Sequence, residues 1–445
     1  MRDGSAYANL HRIAPSDPTQ RIDGGSTVDR RGPSDYRRDV GIPPPMTQPP
    51  RAPRYHALDG VRAFAMLLGV FLHASLPYMH VLFPWAVVDG SRSVSLTLVI
   101  YAIHSFRMPA FFLIAGFFAR LVFHRAGPGA FLKHRAKRVL LPLVAGWIVL
   151  YPLVRVLWVW SGVRTLPGAD LAPALVAAFT PPFLGRGVGL IHLWFLYYLL
   201  LLYVFGLAAR WFFVRFLDPN GHRRKSLDTL FERLVRSPLC VLGMAIPTAC
   251  VLLLMRGWGV DFVDRSLVPR PAHILFYGIF FLFGWMLHRN PSLLSTLRSR
   301  WALHVGVASA LLVPITALLY LVYRAHYDAG LGFRTTYFLI HGAIAWAFVL
   351  GLLGAFQRFF DDPSSTWRYL ADASYWIYLV HLPLVIALSV VLRDWSAGWY
   401  LKLALVLAVS TPLLIGSYHL LVRSTWVGVV LNGKRLPRGP VDPDA

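Results

Sequence analysis

Two ionisable residues, Arg62 and His73, lie eleven positions apart in the first strongly apolar stretch of the chain. Eleven residues at about 100° each make three turns plus about 20°, so a helix places both side chains on one face, about 16 Å apart along its axis. In a membrane, Arg62 then lies near one boundary and His73 near the bilayer midplane. A neutral histidine can act as a general base, and an arginine can hold a carbonyl, a carboxylate or a phosphate. The pair therefore predicts a functional site inside a membrane.

Other ionisable side chains reach a similar depth. Arg107 lies about twelve residues from the cytoplasmic end of the second predicted span, as His73 does in the first, so an antiparallel pair of helices brings them to one level. His381 reaches a similar depth in the ninth span, and His104 lies one turn from Arg107. The alternative is that these polar side chains only hydrogen-bond between helices and hold the bundle together.

Composition identifies the chain as a membrane protein. Its 445 residues are 56% hydrophobic and 15% charged, with a mean hydropathy of +0.53, whereas soluble domains are about 45–50% apolar and about 25% charged. Apolar runs of spanning length recur and predict an all-α, polytopic membrane helical bundle of about ten transmembrane helices. The predicted spans are 61–82, 96–119, 139–160, 191–210, 239–256, 272–288, 302–323, 336–357, 372–392 and 399–421.

Charge predicts the orientation of the bundle. Alternate connecting segments together with the C-terminal end carry 22 Lys and Arg, against 9 on the opposite side, so both termini are expected to be cytoplasmic. The net charge of +23 then reflects topology and contact with anionic lipid, and nucleic-acid binding is not predicted.

The two ends of the chain have a different composition. Residues 1–54 hold nine prolines and no apolar signal segment, which predicts a disordered cytoplasmic tail. Residues 55–421 form the predicted membrane domain, and 422–445 a cytoplasmic C-terminal tail. With only Cys240 and Cys250, no disulfide framework and no metal site is predicted.

Five segments of the chain resemble, in order, the motifs of the integral-membrane acyltransferase-3 family, and most closely its glucan biosynthesis protein C branch, which contains a periplasmic glucan succinyltransferase. They are LDGVRAFAMLLGVFLHA (58–74), SFRMPAFFLIAGFFARL (105–121), FLKHRAKRVLLPLVAGW (131–147), HLWFLYYLLLLYVF (192–205) and ASYWIYLVHLPLV (373–385). The chain departs from the family at Ala115, where a serine is frequent, although the adjacent Gly116 keeps the small residue that close helix packing needs.

The resemblance implies an acyltransferase of the cytoplasmic (inner) membrane that takes an acyl group, succinyl or acetyl, from cytoplasmic acyl-CoA and places it on a hydroxyl of an extracytoplasmic glycan. The family's first motif is a basic residue followed, after ten intervening residues, by a catalytic histidine. These two positions correspond to Arg62 and His73, and the basic residue of the family's second motif corresponds to Arg107. His73 would deprotonate the acceptor hydroxyl or carry the acyl group itself; both routes stay open. Arg107 would stabilise the oxyanion or hold a succinyl carboxylate.

Supporting roles follow from the same interpretation. The CoA phosphates are expected to bind at the cytoplasmic mouth of the site. The excess of Lys and Arg on cytoplasmic loops explains the basic segment there equally well. The residues expected there are Arg62, Lys133, Arg135 and Arg138. A second set of residues is expected to orient His73 or to line the path of the acceptor. The alternative roles for these residues are packing between helices and an aromatic belt at the membrane interface. This set is Asp59, His104, His192, Trp194, Tyr198, Ser374, Tyr378 and His381.

Two other functions compete with acyl transfer. A transporter or flippase for a glycan or lipid precursor would use a carboxylate within a span and inverted repeats, but the single glutamate, Glu232, lies in a predicted loop and no repeats are visible. A non-catalytic membrane scaffold or sensor would make the alignment of Arg62 with His73 accidental. Acyl transfer by the purified protein separates the three; the oligomeric state is left open.

Overall fold

A computed structural model of the chain describes residues 54–80, 85–166, 168–180, 189–257, 260, 267–324, 330–437 and 439. Its α-helices are α1 His56–Ser75, α2 Val94–Arg135, α3 Leu141–Val163, α4 Leu171–Ala178, α5 Trp194–Phe212, α6 His222–Arg236, α7 Cys240–Leu252, α8 Pro271–Arg289, α9 Leu293–Ser299, α10 Trp301–Arg324, α11 Leu331–Phe359, α12 Ser365–Leu392, α13 Trp399–Ser417 and α14 Trp426–Asn432.

The helices agree with a membrane bundle. Among the described residues, eight helical segments are long and apolar enough to cross a membrane, and no β-strand occurs, so the predicted all-α polytopic bundle is confirmed. One of the eight, Val94–Val163, is 70 residues long and holds two predicted spans as α2 and α3. Large apolar side chains such as Ile148, Val149 and Val313 are exposed on the outside, where lipid would cover them.

The segment from 210 to 256 differs from the prediction. The fifth predicted span is only the 13-residue helix α7, about 20 Å long and too short to cross the about 30 Å hydrocarbon core on its own. The preceding segment, predicted as a loop, contains the 15-residue helix α6, which meets α7 at 112°. Helix α6 buries Phe231 and Val235 and exposes most of its charged residues, as in a helix that rests on a surface.

Close helix packing fixes the position of the polar core. A Cβ atom added at Gly116 of α2 would meet the carbonyl group of Phe281 on α8, and one added at Gly284 would meet the carbonyl of Leu113. The two backbones therefore touch, which the small residue at 116 allows. Helix α1 packs against α12, α2 and α11. The helix that carries Arg62 and His73 is therefore surrounded by protein.

The C-terminal residues fold back onto the bundle. In α14, the Leu431 carbonyl accepts a hydrogen bond of 2.5 Å from Arg138, and the Leu436 amide donates to the Arg423 carbonyl at 2.8 Å. The segment to residue 437 is thus packed against the bundle, although it was predicted as a tail. The predicted N-terminal tail, apart from residue 54, lies outside the described residues.

Candidate active site

A proline in α12 sets the orientation of His192. Pro383 has no amide hydrogen, so the Leu379 carbonyl four residues earlier lacks its usual helical partner. The Nε2 of His192 lies 2.9 Å from that carbonyl oxygen. A carbonyl only accepts, so Nε2 carries the hydrogen and Nδ1 of this buried ring keeps a lone pair. That Nδ1 has no hydrogen-bond partner among the described residues.

Two carbonyls of its own helix orient His381, which is 1% exposed. Its Nδ1 lies 2.8 Å from the Tyr378 carbonyl oxygen and 3.0 Å from that of Ile377, so Nδ1 carries the hydrogen. Its Nε2 is then an acceptor, and the contact of 2.8 Å with Nδ1 of His73 must be donated by His73. This hydrogen-bond chain leaves Nε2 of His73 with a free lone pair, which is the form that a general base requires.

The ring of His73 lies between two other rings. The His381 ring is nearly parallel to it, at 19° and a centroid distance of 5.0 Å. On the loop between α1 and α2, the indole ring of Trp85 is parallel to it, at 8° and 5.6 Å. His73 itself is partly exposed. The sequence interpretation did not include Trp85, because helical periodicity does not report the path of a loop.

Arg107 completes the centre. Its side chain is 8% exposed and passes over Gly69 of α1, where an added Cβ would contact the guanidinium group. It lies within electrostatic range of His73 and His381. No carboxylate of the described residues forms an ion pair with it, and its Nε has no hydrogen-bond partner there. A buried cation without a counter-ion is costly, so the position suits an anionic or strongly polarised ligand.

The remaining predicted residues divide into those near this centre and those engaged elsewhere. His104 lies in electrostatic range of Arg107, and the Tyr378 hydroxyl donates to the His192 carbonyl at 2.8 Å. The Ser374 hydroxyl donates instead to the Ala371 carbonyl of its own helix at 2.7 Å, so it is not directed towards His381.

An aromatic group connects α5 with α8 beside Arg107. The Trp194 and Tyr277 rings have centroids 5.6 Å apart, and Tyr198 contacts both edge to face. The Tyr198 hydroxyl accepts a hydrogen bond of 3.1 Å from the Arg270 amide, so it already serves the backbone. Tyr277, which lies in electrostatic range of Arg107, was missed by sequence reasoning because its span carries no charged residue at that depth to indicate a site.

At the other end of α1, Arg62 is partly engaged in structural contacts. Its guanidinium lies 3.2 Å from an Asp59 oxygen and donates to the Ala371 carbonyl at 3.1 Å. The Arg62 side chain is 36% exposed, so it still presents charge to a ligand. The structure thus links Asp59 to Arg62 and attaches both to α12.

The basic residues at 133–138, predicted to lie in a loop, are helical in the structure and have three different environments. Lys133 is exposed. Arg135 lies over the rings of Phe131 and Tyr203 at 5.0 and 5.1 Å, as cation–π contacts. Arg138 is attached to the C-terminal segment through Leu431, but it remains within electrostatic range of Arg62. Lys133 is therefore the most accessible of these three cations, which were predicted to bind the donor.

Comparisons with known proteins cover most of the chain. A family model described as an acyltransferase domain matches residues 55–419. The proteins named Glucans biosynthesis protein C from Escherichia coli K12, O81 (strain ED1a) and SMS-3-5 are each 27% identical over 352 residues, which is 76% of this chain and 84% of theirs. No solved structure matches.

Proposed function

Because the chain belongs to the acyltransferase-3 family, we propose that it transfers an acyl group from cytoplasmic acyl-CoA to a hydroxyl of an extracytoplasmic glycan, across the inner membrane. The resemblance deduced from the five motifs is confirmed, and the chain is a multi-pass membrane acyltransferase. The observation that carries the finer proposal is the hydrogen-bond chain from the Tyr378 carbonyl through His381 to His73.

His73 acts as the general base in the proposed mechanism. Its Nε2 removes the proton of the acceptor hydroxyl while the oxygen attacks the thioester carbonyl of the donor. The positive charge that forms on His73 is stabilised by the acceptor nitrogen of His381. When the tetrahedral intermediate collapses, the carbon–sulfur bond breaks and the thiolate of CoA takes the proton from His73. The base is therefore regenerated in each cycle.

Arg107 supplies positive charge near the reacting carbonyl. Its buried guanidinium can stabilise the oxyanion, or it can hold the distal carboxylate of a succinyl group. The lack of a carboxylate counter-ion among the described residues supports a donor that brings its own, so we propose succinyl-CoA as the donor. The relatives' name refers to glucan biosynthesis, which supports a glucan as the acceptor.

The donor binds along α1 in this proposal. Arg62 and Lys133 contact the phosphates of CoA at the cytoplasmic end, and the pantetheine arm extends about 16 Å along the helix towards His73. Because Arg62 already contacts Asp59, its charge is partly compensated before the donor binds. We therefore expect several cations to share the phosphates.

The direct test is acyl transfer by the purified protein with radiolabelled succinyl-CoA and a glucan acceptor. We expect the wild-type protein to transfer label and His73→Ala to lose at least nine tenths of the activity, while both insert and purify alike, because the span only becomes more apolar. More than a tenth of the wild-type rate in His73→Ala contradicts the role of His73. Movement of the glucan across vesicles without label transfer supports the transporter alternative.

The donor is tested separately with Arg107→Lys. A lysine keeps the charge but loses the two-pronged contact with a carboxylate. We expect this variant to lose more activity with succinyl-CoA than with acetyl-CoA, by about 1–3 kcal/mol in transition-state stabilisation. Equal losses with both donors place Arg107 on the oxyanion and favour acetyl.

A further inference from the structure

The loop that follows α1 is packed on His73 and is held at both of its ends. It comprises residues 85–93, and we call it the Trp85 loop. The indole ring of Trp85 is parallel to the His73 imidazole, and its edge meets Trp158 of α3 at a centroid distance of 6.2 Å. The family motifs do not include this loop, and the proposed mechanism does not use it.

A buried ion pair attaches the Trp85 loop to α13. The Nζ of Lys402 lies 2.7 Å from an Asp89 carboxylate oxygen, and both side chains are only 3% exposed. Lys402 also donates to the Arg393 carbonyl at 3.1 Å, and the second Asp89 oxygen accepts from the Ser91 amide at 2.9 Å. Each charge is therefore paired and hydrogen-bonded, although both have left water.

Two further hydrogen bonds fix the loop. The buried Ser161 hydroxyl of α3 donates to the Ala86 carbonyl at 2.5 Å, directly beside Trp85. The Trp399 amide at the start of α13 donates to the Ser91 hydroxyl at 2.9 Å. The loop is thus held between α3 and α13, and Trp85 has a fixed position relative to His73.

The net contribution of such a buried pair to stability is small. Removing two charges from water costs several kcal/mol per ion, so a buried pair often contributes little net stability compared with apolar residues. A fixed aromatic ring beside an imidazole restricts the ring's rotation, and an aromatic face stabilises a neighbouring cation. His73 becomes such a cation when it accepts the substrate proton.

We propose that the Asp89–Lys402 pair is a positioning device that holds Trp85 against His73, so that the imidazole keeps its hydrogen bond to His381 and its positive form is stabilised during transfer. The proposal rests on the proposed function, since it concerns the rate of the reaction at His73. Trp85, Asp89 and Lys402 are positioning residues, because they act through His73 without contact with the donor.

The first test uses substitutions of Trp85. We expect Trp85→Ala to lower kcat at least tenfold while KM for the acyl donor stays within twofold, because the donor contacts are unchanged. We expect Trp85→Phe to recover at least a third of the wild-type kcat, because a smaller aromatic ring still packs on the imidazole. A wild-type kcat in Trp85→Ala, or an equal loss in Trp85→Phe, overturns the proposal.

The second test removes the ion pair without leaving a lone buried charge. We expect Asp89→Ala with Lys402→Met to lower kcat at least fivefold, and to add less than twofold in the Trp85→Ala background, because both changes release the same ring. The matched control is Arg164→Met with Asp394→Ala, a half-exposed ion pair that joins the end of α3 to the turn after α12, with kcat within twofold of wild type. If the loss of kcat in the ion-pair variant multiplies fully with the loss in Trp85→Ala, the proposal is overturned.

A milder variant covers the case in which the ion-pair variant does not fold. Ser91→Ala removes only the acceptor of the Trp399 amide, and we expect kcat to fall two- to fivefold with KM unchanged; a wild-type kcat contradicts the proposal. The failure of the proposed function is distinguishable. If the proposed function is wrong, the wild-type protein transfers nothing or His73→Ala remains active. If only the role of the Trp85 loop is wrong, the wild-type protein and His73→Ala behave as expected and the loop variants keep the wild-type kcat.

Discussion

The His381 contact permits a quantitative prediction for His381→Leu, which removes the acceptor of the His73 hydrogen bond and keeps an apolar side chain of similar volume. In the resting state both rings are neutral, and such a hydrogen bond contributes about 1 kcal/mol. In the transition state His73 is charged, and the bond contributes about 1.5–3 kcal/mol. Only the difference, about 0.5–2 kcal/mol, affects kcat. At about 1.36 kcal/mol for each factor of ten, kcat should fall about 2- to 30-fold.

This loss is far smaller than the about 10⁴-fold that follows when a serine protease loses its aspartate, because a neutral histidine stabilises an imidazolium less than a carboxylate does. The assay is steady-state transfer of labelled succinyl to the glucan. KM for the donor should stay within twofold, and His381→Gln should retain more activity, since its amide oxygen can accept the same hydrogen bond. His304→Leu, a buried histidine on α10 outside the cluster, is the control with wild-type kcat.

Two results would refute the reasoning. An unchanged kcat in His381→Leu would mean that the bond between the two histidines does not strengthen during the reaction. A loss above about 10³-fold with a normally folded protein would exceed what one hydrogen bond supplies, and would make His381 itself the base. Thermal unfolding of the variant in detergent distinguishes either case from misfolding.

Three further changes follow from the contacts of α1 and α2. Gly69→Ala places a methyl group against the Arg107 guanidinium, so kcat should fall towards that of Arg107→Ala, and the double variant should be no worse than Arg107→Ala alone; a wild-type kcat would contradict the contact. Arg62→Ala should raise KM for acyl-CoA more than it lowers kcat, and an unchanged KM would restrict Arg62 to its contact with the helix. Gly284→Ala should lower the stability by about 1–3 kcal/mol in thermal unfolding, whereas Gly306→Ala, with open space around it, should not; equal midpoints would argue against backbone contact.

Helix geometry explains which parts of the site were predictable. Counting residues along straight spans predicted that His73, Arg107 and His381 share one level, and in the structure His73 contacts His381 and lies within electrostatic range of Arg107. The predicted midspan position of His73 is wrong, because α1 ends at Ser75 and His73 lies in its last turn. Composition also predicted the helical bundle, because apolar runs of spanning length have few other stable structures. The roles of the site residues stay predictions until activity is measured.

Other features depend on contacts that periodicity does not encode. The position of Trp85 depends on an ion pair between a loop and a distant helix, so nothing near Trp85 in the sequence indicates it. The predicted span at 239–256 failed in length because an apolar run does not reveal where a helix ends. Pro383 was a usable signal, since a proline two residues after His381 frees a carbonyl for a side chain from another helix.

The hydrogen-bond chain also bears on how far a proton can move within the protein. A row of ionisable groups inside a membrane can become a proton wire if each member passes a proton to the next. Here a proton taken up by His73 can move to His381, but the next group is a peptide carbonyl, which accepts a hydrogen bond and does not relay a proton. The hydrogen-bond chain therefore ends at this carbonyl. Among the described residues, this hydrogen-bond chain thus offers His73 no relay beyond His381, so proton transfer at His73 stays local to the site.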